Sequence, residues 1–281
     1  MKVRPVRSVL STFLCVVFIC GCPGRAKTKQ AATISEPQIT EEESATAIND
    51  WENIEVTGRN KELAHCTAIS YPDKTLAELC DISKSPYYKL LNGNWKFNWV
   101  RKPADRPVDF YKTDFDDRSW STIPVPSNWQ LQGHGSAIYL NTQYPYPKDQ
   151  PHIANDWNPV GSYRTEFTVD ANWDGREIFI NFDGVESAFY LWINGKKVGY
   201  SQGSRTPAEF NITKYLKKGK NALAAEVYRW SDGSYLECQD FWRLSGIFRD
   251  VYLVAAPKTH LQDFFVASAL QRLHFVEQLL V

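Results

Sequence analysis

The sequence predicts an all-β protein, an antiparallel sandwich of two β-sheets. Three observations predict this fold class. Many short segments alternate large apolar and polar residues, as half-buried strands do. Gly, Pro, Asn and Asp separate these segments at short intervals, and long amphipathic helical patterns are almost absent from the sequence. This combination is typical of antiparallel sandwiches.

The strand pattern begins at residues 90–99, where a turn precedes Trp95, Phe97 and Trp99 alternating with polar residues. A short helix is expected before it, around residues 75–80. The later strands are expected at residues 163–169, 176–182, 187–193, 196–200, 222–230 and 247–254.

One hairpin is predicted with its turn type. Asn194-Gly195 separates two strand segments, and this dipeptide accepts the positive φ angles of a type I′ turn. Residues 189–193 and 196–200 should therefore pair directly.

Long loops rich in Trp, Tyr and Pro interrupt the strands at residues 125–130, 138–147 and 158–161. Loops of this length are uncommon unless they are functional or disordered, and their aromatic content argues against disorder. Their rings should pack on the sandwich, on another domain or on a ligand. Residues 258–281 lack the strand pattern and are expected to be a truncated or aberrant tail where a second domain would begin, or a short helix.

Composition narrows the class of ligand. The chain has 281 residues, with 32 basic and 32 acidic side chains. Nucleic acids and anionic membrane surfaces select for a basic excess, so neither is expected as the main partner. The ten tryptophans are compatible with a carbohydrate, since aromatic rings stack on sugar faces; the alternative is that most of the rings fill the core.

Residues 1–22 have the pattern of an export signal, with basic residues before a short apolar run. The segment Ile19-Cys20-Gly21-Cys22 resembles a bacterial lipobox, which predicts lipidation of Cys22; a plain cleaved signal peptide is the alternative. Residues 23–49 are polar and predict a flexible linker. We therefore expect an exported protein, periplasmic or at the cell surface, that meets the membrane only through a lipid anchor.

Three cysteines remain outside the signal, at Cys66, Cys80 and Cys238. An oxidising compartment would allow one disulfide among them, and the sequence does not select the pair.

Several segments together resemble a known family. They occur in order from residue 50 to residue 257, which is nearly all of the chain after the linker, and they are similar to the N-terminal sugar-binding domain of glycoside hydrolase family 2, of the large β-galactosidase type. That resemblance implies a jelly-roll topology for the predicted sandwich. The segments are DWEN at 50–53, VPSNWQ at 125–130, FDGVESAF at 182–189, NGKKVGY at 194–200 and RWSDGSYLE at 229–237 with its continuation to residue 250.

The resemblance implies two substrate-binding residues. Asn141 matches an asparagine that reaches into the galactose pocket, and Asp240 matches an aspartate that contacts galactose and one sodium ion. Amide and carboxylate groups suit sugar hydroxyls, and oxygen donors suit sodium. The alternatives are that Asn141 braces its own loop and that Asp240 forms a salt bridge to Arg243 or Arg249.

The resemblance also implies a magnesium site, whose ligands all donate oxygen. They are Asp50, Asn53, the Val56 carbonyl, Gln202 and Asp232. Arg229, Arg243 and Arg249 are expected to have structural roles.

In this family the acid/base and nucleophilic glutamates lie in a TIM barrel, and no segment of this sequence resembles that barrel. Retaining hydrolysis needs two carboxyls roughly 5 Å apart. The expectation is therefore the carbohydrate-binding part of a β-galactosidase, inactive alone, with the barrel normally supplied by the same chain. The alternatives are a stand-alone surface carbohydrate-binding module and a structural partner that docks on a separately encoded barrel.

Overall fold

The computed structural model describes residues 49–271 and 274–280, with side chains described as far as residue 268. The predicted signal peptide, the lipid anchor at Cys22 and nearly all of the linker lie outside the described residues. None of the helices in the described part is long and apolar enough to cross a membrane.

The regular secondary structure of the described residues is almost entirely β-strand, which confirms the predicted fold class. Two short α-helices interrupt the strands: α1 (Lys74–Glu78) and α2 (Gly233–Leu236). The strands are β1 (Gly58–Arg59), β2 (Tyr88–Leu90), β3 (Gly93–Val100), β4 (Ser121–Val125), β5 (Ile138–Leu140), β6 (Val160–Thr168), β7 (Glu177–Phe182), β8 (Val185–Glu186), β9 (Ala188–Ile193), β10 (Lys196–Gln202), β11 (Ala208–Asn211), β12 (Lys220–Tyr228), β13 (Phe241–Arg243), β14 (Gly246–Ile247), β15 (Val251–Ala256), β16 (Phe265–Gln271) and β17 (His274–Leu280).

Two sheets form the sandwich, and every strand pair in them is antiparallel. The larger sheet has the strand order β1-β10-β9-β12-β6-β3-β4, and the smaller has β11-β7-β15-β2. The predicted hairpin is present: β9 pairs with β10 around Asn194 and Gly195, whose φ angles are 52° and 78°. Both angles lie in the left-handed region that a type I′ turn requires.

The main core lies between the sheets and follows the two-residue period of the strands. Phe189, Leu191 and Ile193 of β9 face Ile180 and Phe182 of β7, and all five belong to one buried cluster. Alternate residues of a strand point to opposite faces, so this inner set fixes which residues remain for the outer faces.

The outer face of the larger sheet is also covered. Trp51 of the N-terminal segment stacks on Tyr228 with ring centroids 4.0 Å apart, and Phe110 packs against Trp192. Because both faces are buried, β9 is apolar along its whole length.

The aromatic loops pack on their own domain. Tyr146 and Ile153 form a buried cluster with Trp230 and Tyr235, and Trp129 is fully buried in the main core. For these residues, the alternative that aromatic rings fill the core is the correct one.

The tail differs from expectation. Residues 258–281 were predicted to lack strands, yet β16 and β17 pair as an antiparallel hairpin over seven positions. The alternation of apolar and polar residues in Phe265–Gln271 is too weak to predict a strand. Pairing with β17 forms the strand nevertheless, because strand formation depends on the neighbouring strand more than on local sequence.

Candidate functional site

The two predicted substrate-binding residues lie opposite each other at one end of a small ribbon. β5 and β13 pair antiparallel with Leu140 opposite Phe241. Asn141 follows Leu140 and Asp240 precedes Phe241, so the next position along the ribbon places Asn141 across from Asp240. The pairing of these two three-residue strands brings together two residues that are about a hundred positions apart in the sequence.

Asp240 is exposed and held by a neighbouring phenol. The Tyr139 hydroxyl donates to Asp240 Oδ1 at 2.6 Å, and this hydrogen bond raises the pKa of Tyr139 above its ordinary value. The alternative of a salt bridge is not what the structure has, because Arg243 and Arg249 donate to backbone carbonyls instead. The carboxylate therefore stays available at the surface.

Asn141 is also exposed, and its Oδ1 accepts a long hydrogen bond of 3.4 Å from Thr142 Oγ1. A contact of that length braces the loop weakly. The amide can therefore turn toward a ligand at little cost.

One face of the ribbon carries an aromatic pair that the sequence analysis did not single out as functional. Tyr139 and Trp242 are directly paired, 53% and 54% exposed, with ring centroids 5.6 Å apart. Large rings exposed beside two polar groups are suited to a sugar face or to a partner domain. Only the pairing of β5 with β13 reveals this juxtaposition.

Arg243 binds the backbone of both strands of the ribbon next to Asn141 and Asp240. This side chain is buried, and its guanidinium donates to the carbonyls of Leu140 at 3.4 Å, Phe241 at 3.1 Å and Gln239. Leu140 and Gln239 immediately precede Asn141 and Asp240. A rigid planar donor fork therefore fixes the backbone on both sides of the candidate site.

A second support comes from residues 203–206. Glu237 accepts from the Ser204 amide and hydroxyl, both at 2.6 Å, and Arg205 pairs with buried Glu186 at 2.8 Å. The Arg205 guanidinium also lies over the Phe241 ring, 5.2 Å from its centroid. This loop thus connects α2 to the ribbon.

The predicted magnesium ligands lie where the N-terminal segment meets the larger sheet. β1 pairs with β10, and the Asp232 amide donates to Trp51 O at 2.7 Å. Asp50 is already engaged: Oδ1 accepts from Arg59 at 2.8 Å and Oδ2 from the Tyr190 hydroxyl at 2.9 Å. These contacts attach the N-terminal segment to β1 and β9.

Asp232 is the member of this set that is suited to a metal. Its Oδ1 is buried without a hydrogen-bond partner in the described part of the chain, and burial raises the pKa of its carboxyl. The Gln202 side chain lies beside it. Asn53 Oδ1 accepts from the Glu55 amide at 3.1 Å, and the Val56 amide donates to Asn53 O. A buried carboxylate oxygen without a partner, beside the Gln202 amide, is a group that a magnesium ion can bind.

The sodium site is less complete. Among the described residues no group of three or more His, Cys, Asp or Glu side chains is placed to hold a metal ion. At the ribbon the predicted sodium ligand Asp240 is an exposed carboxylate. Cys66, Cys80 and Cys238 are each free.

Comparison with known proteins identifies the domain. The family model described as "Glycosyl hydrolases family 2, sugar binding domain" matches residues 88–257. A β-galactosidase of Priestia megaterium is 46% identical over 231 residues, which are 80% of this chain and 22% of that protein. A β-galactosidase of Psychromonas ingrahamii is 48% identical over 221 residues, 79% of this chain and 21% of that protein.

Solved structures agree on the fold. A Bacteroides uniformis β-glucuronidase 2 superposes with a TM-score of 0.50 at 26% identity, over 64% of this chain and 20% of that chain. A β-glycosidase from Bacteroides vulgatus gives 0.50 at 24% identity, over 68% and 24%. This chain thus spans about a fifth of the length of the relatives that it matches.

Proposed function

This chain belongs to glycosyl hydrolase family 2, whose sugar-binding domain it contains, and we propose that it forms one rim of the galactose pocket of a β-galactosidase. The observation that carries the proposal is the ribbon register, which sets Asn141 opposite Asp240 beside two half-exposed rings. Relatives named β-galactosidases, 46% to 48% identical over about four fifths of the chain, support the choice of substrate.

In this proposal the rim binds and orients, and other residues carry out hydrolysis. The Asn141 amide offers a donor and an acceptor to sugar hydroxyls, and Asp240 accepts from one of them. Tyr139 holds the Asp240 carboxylate in place through its hydrogen bond. The carboxyl pair that cleaves a glycoside is assigned to a barrel domain that completes the pocket.

A chimera tests the rim directly. The 231 matched residues of the Priestia megaterium β-galactosidase are replaced by those of this chain, and hydrolysis of a chromogenic β-galactoside is measured. In the chimera Asp240→Asn should lower kcat/KM about 100-fold and Asn141→Ala about tenfold, the effects of losing a charged and a neutral hydrogen bond to substrate.

The controls for the chimera are the same substitutions at exposed sites away from the ribbon, Asp114→Asn and Asn172→Ala. Both should stay within about twofold of the parent, as surface changes usually do. The isolated chain should not turn over the substrate. Rim variants as active as their controls would contradict the proposal.

We extend the proposal to magnesium. Asp232 and Gln202 would hold the ion, with Asp50, Asn53 and the Val56 carbonyl as further oxygen donors, and the bound charge would stabilise the N-terminal segment on the larger sheet. Asp240 would supply one ligand to a sodium ion shared with the barrel domain.

Thermal unfolding tests the magnesium proposal without any activity. Magnesium at about 100 times its Kd should stabilise the isolated chain by about 2.7 kcal/mol, seen as a higher Tm. Asp232→Asn should abolish the ion-dependent part of the Tm. The matched control is Asp183→Asn, another carboxyl whose pKa burial raises; a magnesium effect that survives Asp232→Asn would refute the assignment.

We also propose export with a lipid on Cys22, supported by the lipobox-like segment in the first 22 residues. Mass spectrometry of the mature protein should find an acylated Cys22 at its N-terminus. A mature N-terminus without lipid would leave plain secretion as the route.

A further inference from the structure

A strap, residues 61–69, crosses the outer face of the smaller sheet. It is fixed at three points. The Glu62 amide donates to Glu209 O at 2.9 Å, His65 Nε2 lies 2.9 Å from Glu209 Oε1, and the Cys66 amide donates to Asp263 Oδ1 at 2.9 Å. The strap is therefore attached to β11 and to the segment that follows β15.

A cavity of about 300 Å³ lies between the strap and the sheet. Its floor includes Asn181 of β7 with Tyr252 and Val254 of β15, and Pro207 lines its side. Small-molecule sites begin near this size, so the cavity suits a ligand of one ring. It shares no residue with the ribbon that carries Asn141 and Asp240.

The floor holds an amide that faces the cavity. Asn181 is 6% exposed, and its neighbours Ile180 and Phe182 point into the main core, so its own side chain faces the strap. Among the described residues the Asn181 amide makes no hydrogen bond. Neither polar atom of this amide is among the fully buried side-chain atoms that lack a partner, so the amide is reached from the cavity, where a ligand hydroxyl can pair with it.

Three adjacent strands of the smaller sheet place side chains of different polarity side by side beneath the strap. Glu209, Asn181 and Tyr252 occupy one row across β11, β7 and β15. The row offers a carboxylate, an amide and an aromatic ring in succession, beside the apolar surface of Val254 and Pro207. A sugar ring has the matching chemistry, with one apolar face and hydroxyls around its edge.

Charge selects a neutral ligand. The cavity has two basic groups, Lys61 and His65, and two acidic groups, Glu62 and Glu209, with His65 and Glu209 in direct contact. Neither an anion nor a cation gains from this balance. We propose that the cavity beneath the strap is a second binding site, for a single neutral monosaccharide unit, separate from the rim.

Calorimetric or ligand-observed NMR titration of the isolated chain with methyl β-D-galactopyranoside and methyl β-D-glucopyranoside tests the proposal. At least one probe should bind saturably, with a Kd near 1 mM as an order of magnitude for so few contacts. Asn181→Leu, close in volume and lacking the amide, should weaken binding by at least about tenfold. Asp114→Asn, an exposed change away from both the cavity and the ribbon, should leave it within about twofold.

A second variant tests the same cavity in case Asn181→Leu does not fold. Ala68 is exposed and lines the cavity from the strap, so Ala68→Leu fills the space without altering the sheet; it should also weaken binding. Absence of saturable binding by either probe, or binding that Asn181→Leu leaves unchanged, would overturn the second site. Those results would leave the rim proposal to its own test in the chimera.

Discussion

Arg243→Met is expected to destabilise the chain by about 3 kcal/mol and to disable the rim. The substitution keeps an unbranched side chain of similar length, so the packing beside Phe241 is largely retained. What it removes is the donor fork, so the carbonyls of Leu140, Gln239 and Phe241 lose their hydrogen bonds to the guanidinium, and Gln239 keeps only the Phe241 amide.

The loss should be concentrated at the ribbon. Two three-residue strands give few ladder hydrogen bonds of their own, so β5 and β13 depend on this buried guanidinium for their geometry. In the chimera, Arg243→Met should therefore lower kcat/KM about as far as Asp240→Asn, although Arg243 does not touch the sugar. Arg243→Lys should not rescue it, because one ammonium cannot reach three carbonyls in a plane.

Chemical denaturation of the isolated chain and the chimera assay together measure both effects. Arg249→Met is the matched control: Arg249 is exposed and makes longer contacts to carbonyls, at 3.2 and 3.4 Å. It should cost less than about 1 kcal/mol. Stability and activity equal to those of the control would show that Arg243 does not position the rim.

The parts of the fold that sequence predicts well are those with a long alternating pattern or a defined turn. The hairpin around Asn194 was predicted in position and type because its chemistry is local. Strands β5 and β13 were missed, since three residues carry no readable period and their pairing depends on Arg243, about a hundred residues from Ile138 along the chain. The family resemblance named Asn141 and Asp240, and only the register places them together.

The same distinction explains which contacts the sequence does not reveal. Arg59 and Tyr190 engage the Asp50 carboxylate, and nothing local in the sequence indicates either contact. The burial of Asn181 was equally hidden, because a polar residue in a strand reads as solvent-facing until the strap is known to cover it. Side chains that meet across sheets are set by tertiary contacts, which periodicity does not report.

Glu186 gives the chain a pH dependence of stability that can be measured. This carboxyl is buried beside β14, with Gly246 as its strand partner. Desolvation raises its pKa to about 7, against the opposing effect of Arg205. Glu237 raises it further, while Arg243 and Arg229 lower it, so the desolvation of the site outweighs three cations.

The direction in which stability changes with pH follows from the number of protons that the folded and unfolded chains bind. In the unfolded chain Glu186 loses its proton near its ordinary pKa of 4.5, whereas in the folded chain it keeps the proton to about pH 7. Between these values the folded state holds more protons than the unfolded state, so the free energy of unfolding falls as pH rises. From pH 5 to pH 8 this group alone should remove about 2.5 kcal/mol, as an order of magnitude.

Glu186→Gln isolates the effect, because glutamine keeps the shape and cannot ionise. Urea unfolding at pH 5 and pH 8 should show the parent losing about 2.5 kcal/mol more than this variant over the interval. Glu166→Gln, an exposed carboxylate paired with Lys220, should follow the parent at both pH values. Parallel pH profiles for the parent and Glu186→Gln would mean that Glu186 is ionised in the folded protein at pH 5 and that Arg205 stabilises its charge fully despite burial.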